Sequence, residues 1–234
     1  MKKSTKIFYW IVRIITILLI ADSIYKITLS NADIGEYIFI LANAFGLLLT
    51  SFIPNILHKN HIIVSPLLSN IYLAFITAAL LFGEIGGFFV YVKGWDSILH
   101  LSSGSLITLI GFSLINLLNK NENTTFTLSP IFVTIFAFCF AMTCGAIWEI
   151  IEYSLDGIVG SNMQRAVDSI TLVPLVGRAA LRDTMKDFIL NTTGATIISL
   201  IGYFDLKREK HIIDKIYIKS ENENSDKNEI NNID

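Results

Sequence analysis

The stretch that decides the fold is LSPIFVTIFAFCFAMTCGAIWEII, residues 128–151. Its single charged residue is Glu149. The hydrocarbon core of a bilayer is about 30 Å thick and requires roughly 20 consecutive, mostly apolar residues in one helix. Residues 128–151 exceed that length, so the stretch predicts a transmembrane helix.

Further apolar stretches lie on both sides of it, at about residues 7–21, 37–53, 66–82, 98–118 and 188–206. Of the 234 residues, 53% are hydrophobic and 16% are charged, whereas soluble domains carry about 25% charged residues. The chain is therefore short of charge for a surface that faces water. The sequence predicts an all-α fold, a polytopic transmembrane helix bundle of about six spans.

The composition argues against three other classes of protein. The low charge content disfavours a soluble enzyme, and a net charge of −2 provides no basic field to attract nucleic acid. Cys139 and Cys144 lie in one apolar stretch, where a helix would point them in different directions, a poor geometry for a disulfide. We expect buried free thiols here and exclude a disulfide-stabilised secreted domain.

Basic residues indicate the orientation, because cytoplasmic loops are enriched in Lys and Arg. With the N-terminus inside, the inner segments carry a modest excess of them, so we expect both termini in the cytoplasm. Arg13 interrupts the first stretch, and we expect its side chain to extend to the inner interface. We assign residues 1–206 to the membrane domain, with a motif-bearing core at about 80–206, and residues 207–234 to a polar, disordered cytoplasmic tail.

Polar residues recur at helical spacing where spans four, five and six approach the outer side. Polar groups within membrane spans are costly and therefore indicate functional sites. Successive members of each set are three or four residues apart, which places them on one helix face. The three sets are Asp96 with His100, Glu149 with Glu152, and Asp183 with Asp187 and Asn191.

The predicted topology brings these sets to one depth, because spans four and six start at the outer side and span five ends there. We expect one outward-opening cavity with the catalytic candidates Asp96, His100, Glu149, Glu152, Asp183 and Asp187. Carboxylates held this close must be protonated, paired with Arg and Lys, or bound to a cation. A divalent metal is the favoured solution, with the candidate ligands His100, Glu149, Glu152, Asp183, Asp187 and Asn191.

The segment from Glu152 to Lys186 is long for a connection between spans, and long loops are commonly functional or disordered. Its interior, residues 170–177, is apolar. Two interpretations remain open for this segment: a lid or re-entrant hairpin that dips toward the membrane, and a plain loop at the interface.

These motifs resemble a known family. Trp-Asp-x3-His-x3-Gly at 95–104, Trp-Glu-x2-Glu-Tyr at 148–153 and Asp-x3-Asp-x3-Asn-x2-Gly at 183–194 resemble the YjdF-type predicted inner-membrane proteins of bacteria. More loosely they are similar to VanZ-like proteins. The resemblance implies a bacterial inner (cytoplasmic) membrane location, and the association of VanZ-like proteins with tolerance of lipoglycopeptide antibiotics implies an envelope role. Gln164 lies farther from Glu152 than the Glu-x2-Gln spacing of VanZ-like proteins.

Three functions remain open from the sequence. The first is a metal-dependent enzyme that acts on an envelope or lipid-linked substrate. The second is a transporter or binding protein for an ion or small solute, since carboxylates relay protons in transporters. The third is a structural, envelope-associated protein in which ion pairs stabilise the bundle. The lipid bilayer is a partner in all three, and the sequence does not indicate an oligomeric state.

Overall fold

A computed structural model describes residues 3–29, 34–119, 128–168, 171–208 and 213–220. The described residues are almost entirely helical. The α-helices are α1 (Lys3–Leu29), α2 (Ile34–Thr50), α3 (Ile53–Lys59), α4 (Pro66–Ile76), α5 (Phe88–Tyr91), α6 (Trp95–Asn119), α7 (Pro130–Val159) and α8 (Arg182–Lys207). A π-helix (Thr77–Ile85), two 3-10 turns (Gly177–Ala179 and Ile213–Lys215) and two strands, β1 (Ile62–Val64) and β2 (Ile218–Ser220), complete these elements.

Six of the helical stretches are long and apolar enough to cross a membrane, which confirms the predicted fold class. They are Lys3–Leu29, Ile34–Lys59, Pro66–Ile85, Trp95–Leu118, Pro130–Val159 and Arg182–Lys207. The helices are longer than the predicted spans because they include polar residues at their ends. Helix α8, for example, begins at Arg182 and not near Phe188, so the first Asp residues of its motif lie within the helix.

The described residues form two compact units. The first contains those within 1–96, 116–121 and 212–234, and the second those within 97–115 and 122–211. The boundary between residues 96 and 97 falls in the first turn of α6. The predicted membrane domain of residues 1–206 stays a prediction.

In the first unit, buried apolar side chains of α1, α2 and α4 pack into one core. Tyr9, Val12, Leu47, Leu73 and Ile76 form this core. The hydroxyl of Tyr9 donates a hydrogen bond to the Ser69 carbonyl at 2.9 Å, which satisfies the polar end of a buried ring. Core packing and a buried hydrogen bond thus join α1 to α4.

Arg13 extends its side chain to the residues that follow α2, and its approach to the inner membrane interface stays a prediction. Its side chain is buried and donates hydrogen bonds to Ser51 Oγ at 3.0 Å, to the Ser51 carbonyl at 2.7 Å and to Asn55 Oδ1 at 2.8 Å. The guanidinium also lies over the Phe52 ring, 3.9 Å from its centroid. Arg13 is held inside the unit because Ser51 and Asn55 supply the acceptors that a buried cation needs.

Replacing Arg13 with Leu is expected to lower the stability of the protein by about 2–3 kcal/mol, because the hydrogen bonds of a charged group are lost and their acceptors stay buried. Thermal unfolding in detergent measures the effect. Lys26→Leu is the matched control, since Lys26 pairs with Asp22 at 2.8 Å on a solvent- or lipid-exposed surface; such pairs contribute about 0–1 kcal/mol. Equal effects of the two substitutions would contradict the structural role of Arg13.

Part of the tail is ordered, unlike the sequence-based expectation. Strand β2 pairs antiparallel with β1, with Ile63 opposite Lys219, and Ser65 donates its backbone N–H to the Tyr217 carbonyl at 2.9 Å. Residues 209–212 and 221–234 of the predicted tail lie outside the described residues. The chain after α8 therefore attaches to the first unit through a short two-stranded sheet.

In the second unit, glycines allow α6, α7 and α8 to approach closely. A Cβ atom at Gly194 of α8 would collide with the Leu101 carbonyl of α6, and one at Gly104 of α6 with the Asn191 carbonyl of α8. A Cβ atom at Gly145 of α7 would meet the Asn191 side chain. Small residues are the usual means by which helices pack in lipid, and here they bring three motif-bearing helices together.

The cysteines differ from the expectation of burial. Both are free thiols, but Cys139 is exposed and Cys144 is half-buried on α7. The sequence cannot distinguish a residue that faces lipid from one that faces another helix, because both positions favour apolar side chains.

Candidate metal centre

The centre of the site is formed by α6 and α8. Asp96 lies one helical turn before His100 on α6, and Asp187 lies in the second turn of α8. These three residues each offer a ligand atom, and the three atoms all lie within 4.8 Å of one another. His100 Nε2 is 3.7 Å from Asp187 Oδ2. Two carboxylates and an imidazole therefore converge on one point.

Burial distinguishes this group from an exposed acidic cluster. The Asp187 side chain is only 2% exposed and that of His100 13% exposed. Helix α8 can present Asp187 this deeply because Gly194, two turns further along, removes the side chain that would hold α8 away from α6. Helix α8 thus carries both the glycine that permits close packing and the polar motif that includes Asp187.

Helix α7 contributes two further buried carboxylates, Glu149 and Glu152. Trp148 Nε1 donates a hydrogen bond to Glu152 Oε1 at 2.8 Å. No hydrogen bond from a described residue reaches Glu149 Oε2, although this atom is buried. Glu152 is thus held in place by its neighbour, whereas Glu149 keeps one oxygen available for a ligand, a proton or a water.

Both glutamates of α7 interact electrostatically with the central group. His100 lies within electrostatic range of Glu149 and of Glu152, and Asp187 lies within range of Glu152. Buried like charges at this distance oppose one another unless a cation or a proton compensates them. The centre is therefore rich in carboxyl groups, and His100 is a basic group that interacts with both glutamates.

Two cations approach the edge of the site. Arg165 Nη1 is 3.6 Å from Asp183 Oδ1, and Lys186 Nζ is 4.0 Å from Asp187 Oδ1. These cations offset charge at the edge of the site.

Asn191 occupies the next turn of α8 and is buried between the helices. Ser103 Oγ donates to Asn191 Oδ1 at 3.4 Å, and Asn191 Nδ2 donates to the Ala141 carbonyl at 3.5 Å. Because Gly104 and Gly145 leave room for it, Asn191 connects α8 to both α6 and α7. One helical turn beyond Asp187, Asn191 therefore fixes how α8 packs against α6 and α7.

Gln164 connects the loop after α7 to the site. Its Nε2 donates to Thr184 Oγ1 of α8 at 3.2 Å and to the Glu149 carbonyl of α7 at 3.5 Å. The Asp156 carboxylate holds the loop in this position by accepting hydrogen bonds from the backbone N–H groups of Met163, at 2.7 Å, and of Gln164, at 3.0 Å. The loop thereby places a side-chain amide directly beside the carboxylates.

Comparison with known proteins identifies the family but not an activity. The family described as "Predicted membrane protein (DUF2238)" matches residues 8–208. The chain belongs to this family. No curated protein and no solved structure matches the chain.

The structure brings together some of the sequence-predicted residues and separates others. Asp96, predicted as catalytic and not as a ligand, joins His100 and Asp187 in the central group. The remaining candidates stand outside this group: Glu149 and Glu152 border it, Asp183 faces Arg165, and Asn191 bridges helices. Their assignment as ligands stays a prediction.

Sequence reasoning missed two contributors. Trp148 lies four residues before Glu152, a spacing that places the two on one helix face, so this contact was detectable. Gln164 was set aside because of its distance from Glu152 along the chain. Its approach depends on the turn that Asp156 organises, which helical periodicity does not reveal.

Proposed function

We propose that this membrane protein is an enzyme that binds one divalent transition metal at Asp96, His100 and Asp187 and uses it to activate water against a lipid-linked substrate. The observation that carries the proposal is the convergence of three ligand atoms within 4.8 Å. Carboxylate and imidazole together suit zinc or manganese better than calcium or magnesium, which favour oxygen ligands alone.

The spacing supports a small ion. In a tetrahedral zinc site, ligand atoms bonded at about 2.1 Å lie about 3.4 Å apart. The three atoms of this group, which lie within 4.8 Å of one another, must therefore move together by about 1.4 Å at most, and rotation of their side chains supplies that movement. Catalytic zinc sites usually have three protein ligands and one open position for water, and three residues are what this group offers.

The glutamates of α7 supply the acid–base chemistry in this proposal. A metal lowers the pKa of its bound water and so generates a nucleophile at neutral pH. Glu149 is suited to accept the proton of that water, because its Oε2 is buried and free of hydrogen bonds from the described residues. Glu152, held by Trp148 at 2.8 Å, is suited to orient the substrate or return the proton to the leaving group.

The predicted topology and the resemblance support the proposed location. We place the protein in the bacterial cytoplasmic membrane with both termini inside, so that the start of α6, the end of α7 and the start of α8 face outward. The similarity to YjdF-type and VanZ-like proteins supports a role in the envelope. A C-terminal reporter fusion should be active only in the cytoplasm, and activity only outside it would reverse the assignment of the site to the outer face.

A structural role is the second candidate, and one observation favours it. Arg165 approaches Asp183 at 3.6 Å and Lys186 approaches Asp187 at 4.0 Å, so ion pairs offset charge without a metal. The enzyme accounts better for the unbonded, buried oxygen of Glu149, because a purely structural group leaves such an atom at a cost of about 1–3 kcal/mol.

Hydrolysis is tested with proteoliposomes made from a total lipid extract of the host membrane and incubated in water enriched in 18O. The wild-type protein is expected to incorporate label into a lipid or a released headgroup, as detected by mass spectrometry. Glu149→Gln removes the proton acceptor and should reduce incorporation at least about 100-fold.

Asp22→Asn serves as the control, because this carboxylate belongs to an exposed ion pair with Lys26. It should label at the wild-type rate. If metal-loaded wild-type protein incorporated no label, hydrolysis would be excluded but the metal site would stand. This result would favour the transporter or binding protein for an ion or small solute that the sequence also allows.

A further inference from the structure

The chain that follows α7, residues 160–164, turns back along α7. Gly160 ends α7 with a φ of 73°, a conformation that glycine adopts without strain. The Asp156 carboxylate then accepts hydrogen bonds from Ser161 Oγ at 2.7 Å and from the backbone of Met163 and Gln164. A single carboxylate thus fixes a tight reversal of the chain.

The reversal returns the chain to the depth of the carboxylates. Gln164 contacts the Glu149 carbonyl, and Glu149 lies about 15 Å before Val159 along the axis of α7, at 1.5 Å per residue. A loop that stayed above the end of the helix could not reach this carbonyl. The segment therefore returns to the level at which α7 carries its buried glutamates.

Beyond Gln164 the chain forms a short hairpin. Val167 pairs with Pro174, Asp168 donates its N–H to the Val173 carbonyl at 3.0 Å, and Leu175 donates to the Ala166 carbonyl at 2.8 Å. The backbone groups that the hairpin pairs internally need no water. This lowers the cost of placing the hairpin at a membrane, where unpaired backbone groups are costly.

The hairpin carries three exposed apolar side chains. Leu172, Val173 and Val176 are 76%, 58% and 85% exposed, respectively. The nearby polar groups are satisfied within the turn, since Asp168 Oδ1 accepts from the Thr171 N–H at 2.7 Å and from its hydroxyl at 2.9 Å. An apolar surface with its polar groups already bonded is suited to contact with acyl chains.

Connectivity identifies lipid as the occupant. The segment joins two helices that are each long and apolar enough to cross a membrane, so its ends stay at the membrane surface. Two exposed basic residues, Arg178 and Arg182, follow the apolar side chains. Basic side chains beside an apolar surface are typical of segments that lie in the interface, with apolar side chains at the acyl boundary and cations at the headgroups.

We propose that the hairpin formed by residues 163–168 and 171–176 is an interfacial, lipid-binding element that inserts Leu172, Val173 and Val176 into the leaflet next to the turn that Asp156 fixes. It anchors Gln164 beside the carboxylates and places acyl chains next to the site. This proposal stands on the loop geometry and holds whether or not a metal binds.

The test uses the environment-sensitive fluorophore NBD attached to single cysteines in full-length protein, with Cys139→Ala and Cys144→Ala as background. The labelled variants are Leu172→Cys, Val176→Cys and the control Ser161→Cys, which lies at the reversal near the end of α7. Each variant is reconstituted in bilayers with or without lipids that carry a doxyl quencher on the acyl chain, after its melting curve has shown that it is folded.

We expect blue-shifted emission at 172 and 176 and doxyl quenching about twofold or more above that at 161, because only the first two probes reach the acyl boundary. Water-like emission and weak quenching at both positions would overturn the proposal and leave a plain surface loop. Blue-shifted emission without doxyl quenching would overturn it as well, because protein and not lipid would then cover the hairpin.

Discussion

Replacing Asp187 with Asn is expected to make the melting temperature of the protein insensitive to chelator. The substitution keeps the size of the side chain and removes the most buried carboxylate of the central group. A metal present at about 100 times its dissociation constant stabilises a protein by about 2.7 kcal/mol, which corresponds to about 5–10 °C for a chain of this size. Chelator should therefore lower the melting temperature of the wild type by this amount and leave that of Asp187→Asn unchanged.

Asp22→Asn is the matched control, because it makes the same chemical change at an exposed carboxylate paired with Lys26. Its melting temperature should respond to chelator as that of the wild type does. If Asp187→Asn lost the same number of degrees on chelation as the wild type, Asp187 would not be a ligand. If neither the wild type nor Asp187→Asn responded to chelator, ion pairing would account for the cluster.

Gly194→Val is expected to produce the largest loss of stability, about 3 kcal/mol or more. A Cβ atom at this position would collide with the Leu101 carbonyl and approach Ser105 Oγ at 2.9 Å. A backbone carbonyl cannot move aside as a flexible side chain can, so α8 must shift away from α6 and carry Asp187 with it. Denaturation of the purified protein in mixed micelles measures the loss, and Gly194→Ala tests the same contact with a smaller group.

Gly157→Val offers a control in which the same residue type changes at a site with space around it. No atom lies within 4 Å of a Cβ built at Gly157, near the end of α7. We expect its stability to stay within about 1 kcal/mol of the wild type. Equal losses for Gly194→Val and Gly157→Val would show that close approach of α6 and α8 does not hold the second unit together.

The spans were predictable because hydropathy reports how many residues can remain in lipid. The apolar stretches, such as residues 128–151, therefore predicted the six candidate spans found among the described residues. The ends of the helices were not predictable from hydropathy. Helix α6 begins at Trp95 and α8 at Arg182, and both starts lie in polar sequence outside the apolar stretches. The π-helix at Thr77–Ile85 has no counterpart in the apolar pattern, because a local change of hydrogen bonding leaves hydropathy unaltered.

The site was predictable where helical periodicity acts alone. The spacing of Asp96 and His100 on one helix, and the common depth of span ends, anticipated that Asp187 would meet them. Partners on another helix were beyond this reasoning wherever no polar motif marked them: Arg13 donates hydrogen bonds to Ser51 and Asn55 of another span. Asn191 fits between Gly104 and Gly145 in the same way, and a linear pattern does not reveal which glycine faces which side chain.

Elemental analysis of the purified wild-type protein tests the central claim most directly. The protein should carry an affinity tag without histidines, so that no metal is introduced by the tag or its resin. We predict about one zinc or manganese ion per chain in the wild type and in Asp22→Asn, and less than about a tenth of that in Asp187→Asn. Wild-type protein with no stoichiometric metal, even after incubation with zinc or manganese, would contradict the metal centre.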